Sequence, residues 1–336
     1  MGIKSSYNRA TYFAKAAESR PGWIKDGEPY PNQFATWYGD KGIIAGGNDS
    51  GGQTVTIQYT MISGGVSTNA VDFGDLTVAR GEAASASNGL RMIVAGGNSP
   101  SPVAFNDTME YITIATSGDA KDFGDLTENI TQWAGTGDGI YGIFGGGNKI
   151  SGEQHSDIIN RTSVATLGNA IDFGNLTAAR IGCACAGNGH RAVWGAGYTG
   201  PDSNILDYVV IQTTGDATDF GDLNYSGYNV CGTGAETRGL YAGGRSGASA
   251  TWYDNIDYIT TAATGNATDF GNLTEQKDGP PSASNNGTRA CFYGGQKSPA
   301  KKNTIEYVTI ATTGNATDVG DLIAANGGPT SSSGDP

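Results

Sequence analysis

The stretch Val71-Asp72-Phe73-Gly74-Asp75-Leu76 returns five more times along the chain, as Asp122 to Leu126, Asp172 to Leu176, Asp219 to Leu223, Asp269 to Leu273 and Asp318 to Leu322. The copies start 50, 50, 47, 50 and 49 residues apart. Near-equal spacing on that scale marks a repeat architecture, in which each unit is one supersecondary piece that buries its apolar face only against its neighbours. A chain of 336 residues then reads as one toroidal domain rather than two ordinary ones.

Outward from the motif, one unit divides into four short strands. Ala83-Ala84-Ser85-Ala86-Ser87 is a small-residue strand that runs into Asn88-Gly89, a hairpin turn signal. Leu90 to Ala95 is apolar and is closed by Gly96-Gly97. After a loop of variable length, Met109 to Ala115 alternates and is β-branched, as a half-buried strand should be. Gly118-Asp119 turns the chain into Lys121 to Thr127, anchored by Phe123 and Leu126. Four antiparallel strands per unit make a propeller blade.

The diglycine recurs at Gly46-Gly47, Gly146-Gly147, Gly243-Gly244 and Gly294-Gly295, and becomes Gly195-Ala196-Gly197 in the fourth unit. Five residues before it stands a basic residue, Lys41, Arg91, Arg191, Arg238 or Arg289, which suggests one ion pair or hydrogen bond repeated around the ring. The third strand carries Tyr59, Tyr111, Tyr208, Tyr258 and Tyr307, with Arg161 in the third unit. Strand, diglycine, loop, Glu-Tyr, hairpin and late aromatic together resemble the kelch repeat. That family usually has Trp as its last aromatic; here the position holds Phe73, Phe123, Phe173, Phe220 and Phe270, then Val319. The resemblance covers about residues 34 to 330 and implies an all-β, six-bladed kelch-like propeller of four-stranded blades. The phrase Tyr307 to Asp318 also resembles Gly-rich repeats in virion and tail proteins of marine bacteriophages. It implies a virion protein; with blades rich in Gly, Ser, Thr and Asn and few catalytic groups, the expectation is a structural or host-attachment protein with no enzymatic activity and no cofactor.

Composition narrows the partners. The net charge of −13 repels a phosphate backbone, so nucleic acid is not expected. Cys183, Cys185, Cys231 and Cys291 have neither zinc spacing nor a redox CxxC, and are expected to be buried and reduced. Two histidines argue against a histidine metal site. No run approaches a membrane span and no apolar segment follows the N-terminus, so the chain is expected to be soluble and unprocessed.

Residues 1–33 carry no repeat and read as a docking arm, ahead of a propeller over 34–336. Asn8 caps a short helix expected over residues 9–19, with Ala10, Phe13, Ala14 and Ala17 on one side and Pro21 closing it. The candidate docking residues are Arg9, Tyr12, Phe13, Lys15 and Trp23. The arm's balance of +2 leaves −15 on the remainder, so it could dock on its own body, on a neighbouring subunit or on another virion protein. Residues 323–333 resemble Thr77 to Ser87 and are expected to close the ring as the outer or first strand of the blade built from residues 40–76; Phe34 to Tyr38 could fill the same place.

Two kinds of residue are candidates for chemistry. The repeated carboxylates, Asp72, Asp122, Asp172, Asp219, Asp269 and Asp318 with their partners three residues on, could ligate calcium or accept backbone N–H bonds in turns. An active or binding site, however, needs the symmetry broken. Trp194 and Tyr198 flank the altered diglycine, Trp252 and Tyr253 follow the next one, and His155 sits on a variable loop. Aromatics on loops over a rigid scaffold suit a protein contact or a host-surface glycan. No nucleophile elbow, phosphate loop or zinc pair occurs. A glycosidase reading would rest on Arg161, Tyr141 and Glu153.

Overall fold

In a computed structural model, residues 24–25, 28–29, 37–64, 69–100, 105–149, 155–278 and 282–334 are described, and all their regular structure is β. Six four-stranded antiparallel sheets form a ring. The second, for example, runs Ala84–Ser87, Arg91–Ala95, Thr108–Thr113, Lys121–Asp125, from the axis outward. The small-residue strand is innermost, because six strands converging on one axis leave no room for larger side chains. The ring closes through the C-terminus: Thr330–Gly334 pairs with Lys41–Ala45, which pairs with Thr56–Met61 and then Val71–Asp75. The first blade is therefore stitched from both ends of the chain, and the tail is its inner strand. The expected arm helix, Arg9, Tyr12, Phe13, Lys15, Trp23, Phe34 and Glu153 lie outside the described residues. Among the described residues no helix is long and apolar enough to cross a membrane.

The motif that sets the period proves to be the joint between blades. Its Phe occupies a β-bulge: Met109 faces Gly124 but Glu110 faces Asp122, so Phe123 is the extra residue and swings inward. The same shift occurs in all six blades. Phe73 and Leu76 are buried with Met92, Val94, Ile112 and Ile114 of the next blade, and five equivalent clusters fill the other joints. At Gly74 a side chain is barred twice, by φ of +151° and by the carbonyl oxygen of Gly118, which would lie 2.5 Å from a Cβ. That carbonyl belongs to the turn of the next blade, which docks here: Gly118 N donates to Phe73 O at 2.8 Å, and Asp75 N donates to Asp119 Oδ1 at 3.1 Å.

Asn169, Asp216, Asn266, Asn315 and Asn69 accept the same bond at the other five joints. The Asx side chains that secure the turns are thus those of the Gly-Asp and Gly-Asn turns, not the motif's own first carboxylates. Of these, Asp318 accepts from Gly320 N at 3.1 Å, while Asp72, Asp122 and their equivalents stand exposed. Among the described residues no group of three or more His, Cys, Asp or Glu is placed to hold a metal ion.

The recurrent basic residue is a second joint. Arg91 lies 4.8 Å over the Tyr111 ring and donates to Ala165 O of the next blade at 3.0 Å. Lys41, Arg191, Arg238 and Arg289 do the same toward Ile114, Thr261, Ile310 and Gly64. In the third blade the two positions are exchanged. Tyr141 stands where the Arg is expected and Arg161 where the Tyr is expected, yet Arg161 still lies 4.5 Å over Tyr141 and still donates to Ile211 O at 3.1 Å.

Candidate recognition site

The strand order gives the ring two unlike faces. One, the turn face, carries the turns between first and second strands and between third and fourth. The other, the loop face, carries the loops after each diglycine and the links between blades.

The axis itself holds two small cavities, of about 60 and 70 Å³. They are walled by inner-strand residues such as Ser87, Thr136, Cys185, Thr233, Ser284 and Ser332. Ligand pockets usually enclose about 300 Å³ or more, so these suit water rather than a substrate. Trp37 and Tyr38 lie across the turn-face mouth, Trp37 against Gly189 and Tyr38 against Gly287, with the Tyr38 hydroxyl donating to Glu236 at 3.0 Å.

The loop face is asymmetric. His155 meets Tyr198 edge-on at 5.6 Å, and Tyr198 meets Tyr228 at 5.7 Å. Arg245 lies 4.8 Å over Tyr228 and is paired by its Nε with Asp278 at 2.9 Å. The Trp252 indole N–H donates to the other Asp278 oxygen at 3.1 Å. Beside this run, Tyr225 and Tyr253 lie 4.9 Å apart, with the Tyr225 hydroxyl donating to Gly243 O at 2.9 Å. The result is a strip of half-buried aromatic rings across blades three to five, ending at the link into blade six.

Each member is held for a local reason. Asp278 is almost wholly buried; burial pushes its carboxyl above its ordinary range, while Arg245 and the Trp252 N–H pull it back. One buried carboxylate thereby fixes both the guanidinium and the indole. The loop between Arg245–Ser246 and Thr251–Trp252 is tied back by Asp202 of the fourth blade, which accepts from Ser246 Oγ at 2.7 Å and Gly247 N at 3.1 Å. Burial, with the nearby Asp257 adding to it, drives the Tyr225 phenol well above its usual value, so this hydroxyl stays a neutral donor.

Of the loop residues picked from sequence, His155, Tyr198, Trp252 and Tyr253 stand on the loop face. Trp194 does not: it lies within Arg191–Gly195, is 0% exposed, and donates from its indole to Ala134 O of the third blade at 3.2 Å. It fills the joint between blades, because the small inner strands of blades three and four leave a gap only a large ring closes. Sequence reasoning missed Tyr225, Tyr228, Arg245, Asp278 and Asp202. Their signal was present, since Leu76 is followed at the fourth position by Arg80 whereas Leu223 is followed by Gly227 inside Tyr225-Ser226-Gly227-Tyr228. Tyr141 and Arg161 belong to the blade joint on the opposite face. The four cysteines are free and buried, and burial raises Cys183 to about 11 and Cys231 and Cys291 to about 12.

Compared with protein-family models and with curated proteins, the chain matches none.

Proposed function

We propose that this propeller is a non-catalytic recognition module that binds its partner on the loop face, along the strip from His155 to Trp252. The observation that carries the reading is the break in symmetry: the turns, cation–ring stacks and bulges repeat in every blade, while Tyr198, Tyr228, Arg245 and Trp252 converge on one locus only. Aromatic rings prepositioned by a buried Asp278 offer contact area at little entropic cost, which suits protein partners and sugar rings alike. The kelch-like repeat pattern and the Gly-rich phrase ending at Asp318 support the finer reading, a phage virion protein of attachment type whose arm joins it to other virion components.

The test replaces Tyr198 and Trp252 by Ala in separate chains. Loss of association with particle components or host cells, with an unchanged melting temperature, is the expected result; undiminished association of both variants sinks the reading. A glycan array run on the same proteins separates the sugar-binding reading, which the Arg245–Trp252 arrangement favours, from a protein contact.

A further inference from the structure

The turn face is also asymmetric, in apolar exposure. Leu90 is 53% exposed, Ile140 40%, Leu167 59% and Ile171 53%. In the last two blades the position of Leu90 and Ile140 holds Thr237 and Thr288, and that of Leu167 and Ile171 holds Thr264 and Thr268, or Thr313 and Thr317. Backbone pairing and the Arg91 bond bring three of these residues to one turn. Val164 N donates to Ile140 O at 2.9 Å, and Arg91, next to Leu90, bonds Ala165 O at 3.0 Å, so three of them gather about the turn Val164 to Gly168. Apart from Val71 of the first blade, 52% exposed, the large exposed apolar side chains of the described turn face stand in blades two and three, and such a cluster marks a contact.

We infer that this patch is covered by the chain's own N-terminal segment, through the large apolar side chains between Tyr12 and Ile24. Three observations point to that occupant. The chain enters the propeller on this same face, where Trp37 packs on the Asn188-Gly189 turn of the blade next to the patch. Ile24–Lys25 pairs back on Glu28–Pro29, and the eight steps from Pro29 to Trp37 span up to about 26 Å when extended, enough to reach over a neighbouring blade. The arm brings Tyr12, Phe13, Trp23 and Ile24, with a charge of +2 against −15 on the remainder. Apolar burial and the opposite charges act in the same direction. Trp37 and Gly334 both lie on the side opposite the loop-face strip, Gly334 pairing with Lys41 at the turn end of its strand.

The test uses the full chain in dilute solution, with Leu167 replaced by photoreactive benzoylphenylalanine. Irradiation should give cross-links to residues 12–24 of the same chain, at monomer mobility. Cross-links between two chains, or none to the arm, overturn the inference. As an independent reading, Phe13→Asp in the full chain should speed amide exchange of residues 140–168 at the turn face by about tenfold; exchange identical to that of the unsubstituted chain overturns it too.

Discussion

The exchanged pair in the third blade supplies the sharpest test of how the blades are joined. Replacing Arg161 by Tyr removes a charged donor bonded to Ile211 O at 3.1 Å and a guanidinium 4.5 Å from the Tyr141 centroid and 5.1 Å from that of Phe173. A hydrogen bond from a charged group contributes about 1.5–3 kcal/mol. The stacks, at a partly exposed site, add about 0.5–1 kcal/mol each, and the bond is discounted for solvent, giving a loss of about 2–3 kcal/mol. Replacing Tyr141 by Arg removes the ring and sets two guanidinium groups together, costing about 1–2 kcal/mol. Making both changes restores the arrangement seen at Arg91 and Tyr111, so the doubly exchanged chain should lie within about 1 kcal/mol of the original. Urea unfolding followed by tryptophan fluorescence reads this, provided the m-value stays constant across the four proteins. If the double variant loses the sum of the two single losses, the pair is not a unit and the cross-blade staple is the wrong account.

The remaining predictions concern buried polar groups and closure. Arg80 and Glu110 form an almost wholly buried ion pair, so Arg80→Met should cost about 3–5 kcal/mol by stranding the carboxylate, and adding Glu110→Gln should recover most of it in the same urea assay. Removing residues 323–336 deletes the inner strand Thr330–Gly334 and should abolish the cooperative thermal transition seen by circular dichroism; an unaltered melt would show that the ring closes some other way. Asp257 is buried with Asn224 as its hydrogen-bond partner, and burial holds its folded carboxyl above the ordinary value of 3.8. The folded state therefore binds this proton more tightly than the unfolded chain: its stabilising effect is full below pH 3.8 and is lost as pH rises through the folded value. Relative to the original chain, Asp257→Asn should gain stability across that window and hold the gain level above it, as measured by urea midpoints from pH 3 to 8.

Much of the fold was legible because it is periodic. The spacing of Asp-Phe-Gly-Asp-Leu, the diglycines and the β-branched third strands give blade number and strand order without any knowledge of contacts. What each repeated residue does was less legible. Asp72 and its equivalents looked like turn acceptors, but the bulge at Phe73 turns the motif's backbone, not its first carboxylate, toward the next blade, and the acceptor comes from Asp119 some 44 residues on. Trp194 looked like a loop residue because it precedes the altered diglycine; the strand pairing of Trp194 with Asp207 buries it. The loop-face strip was half visible. Tyr198 and Trp252 stand out as rare residue types, whereas Asp278 and Arg245 are ordinary residues made special only by meeting across two blades.

Broken symmetry alone therefore does not identify a functional residue; compensation decides. Arg161 departs from its column, but Tyr141 departs in the opposite sense at the same joint, and the contact to the next blade survives. The buried acids show the same logic. Glu110, Asp207 and Glu306 each face a cation, Arg80, Arg180 or Lys277. Of the three other blades, two have the neutral Asn160 and Gln58, with Ile130 and Asn326 at the cation's position, and the fifth keeps an acid, Asp257, with Gly227 at that position. All six acceptors still take the N–H of the residue after the motif's Leu, as Glu110 takes Thr77 N at 2.7 Å and Gln58 takes Ile323 N at 2.9 Å. One oxygen is needed for that bond; the second is answered by a cation at Glu110, Asp207 and Glu306, and at Asp257 by the Asn224 side-chain amide at 2.9 Å, with burial raising that carboxyl. Compensated changes of this kind preserve the scaffold. Tyr228, stacked on Tyr198, and Trp252, held by Asp278, on one face, and Leu167 with Ile140 on the other, do not recur around the ring. A contact outside the ring would supply a physical reason for them.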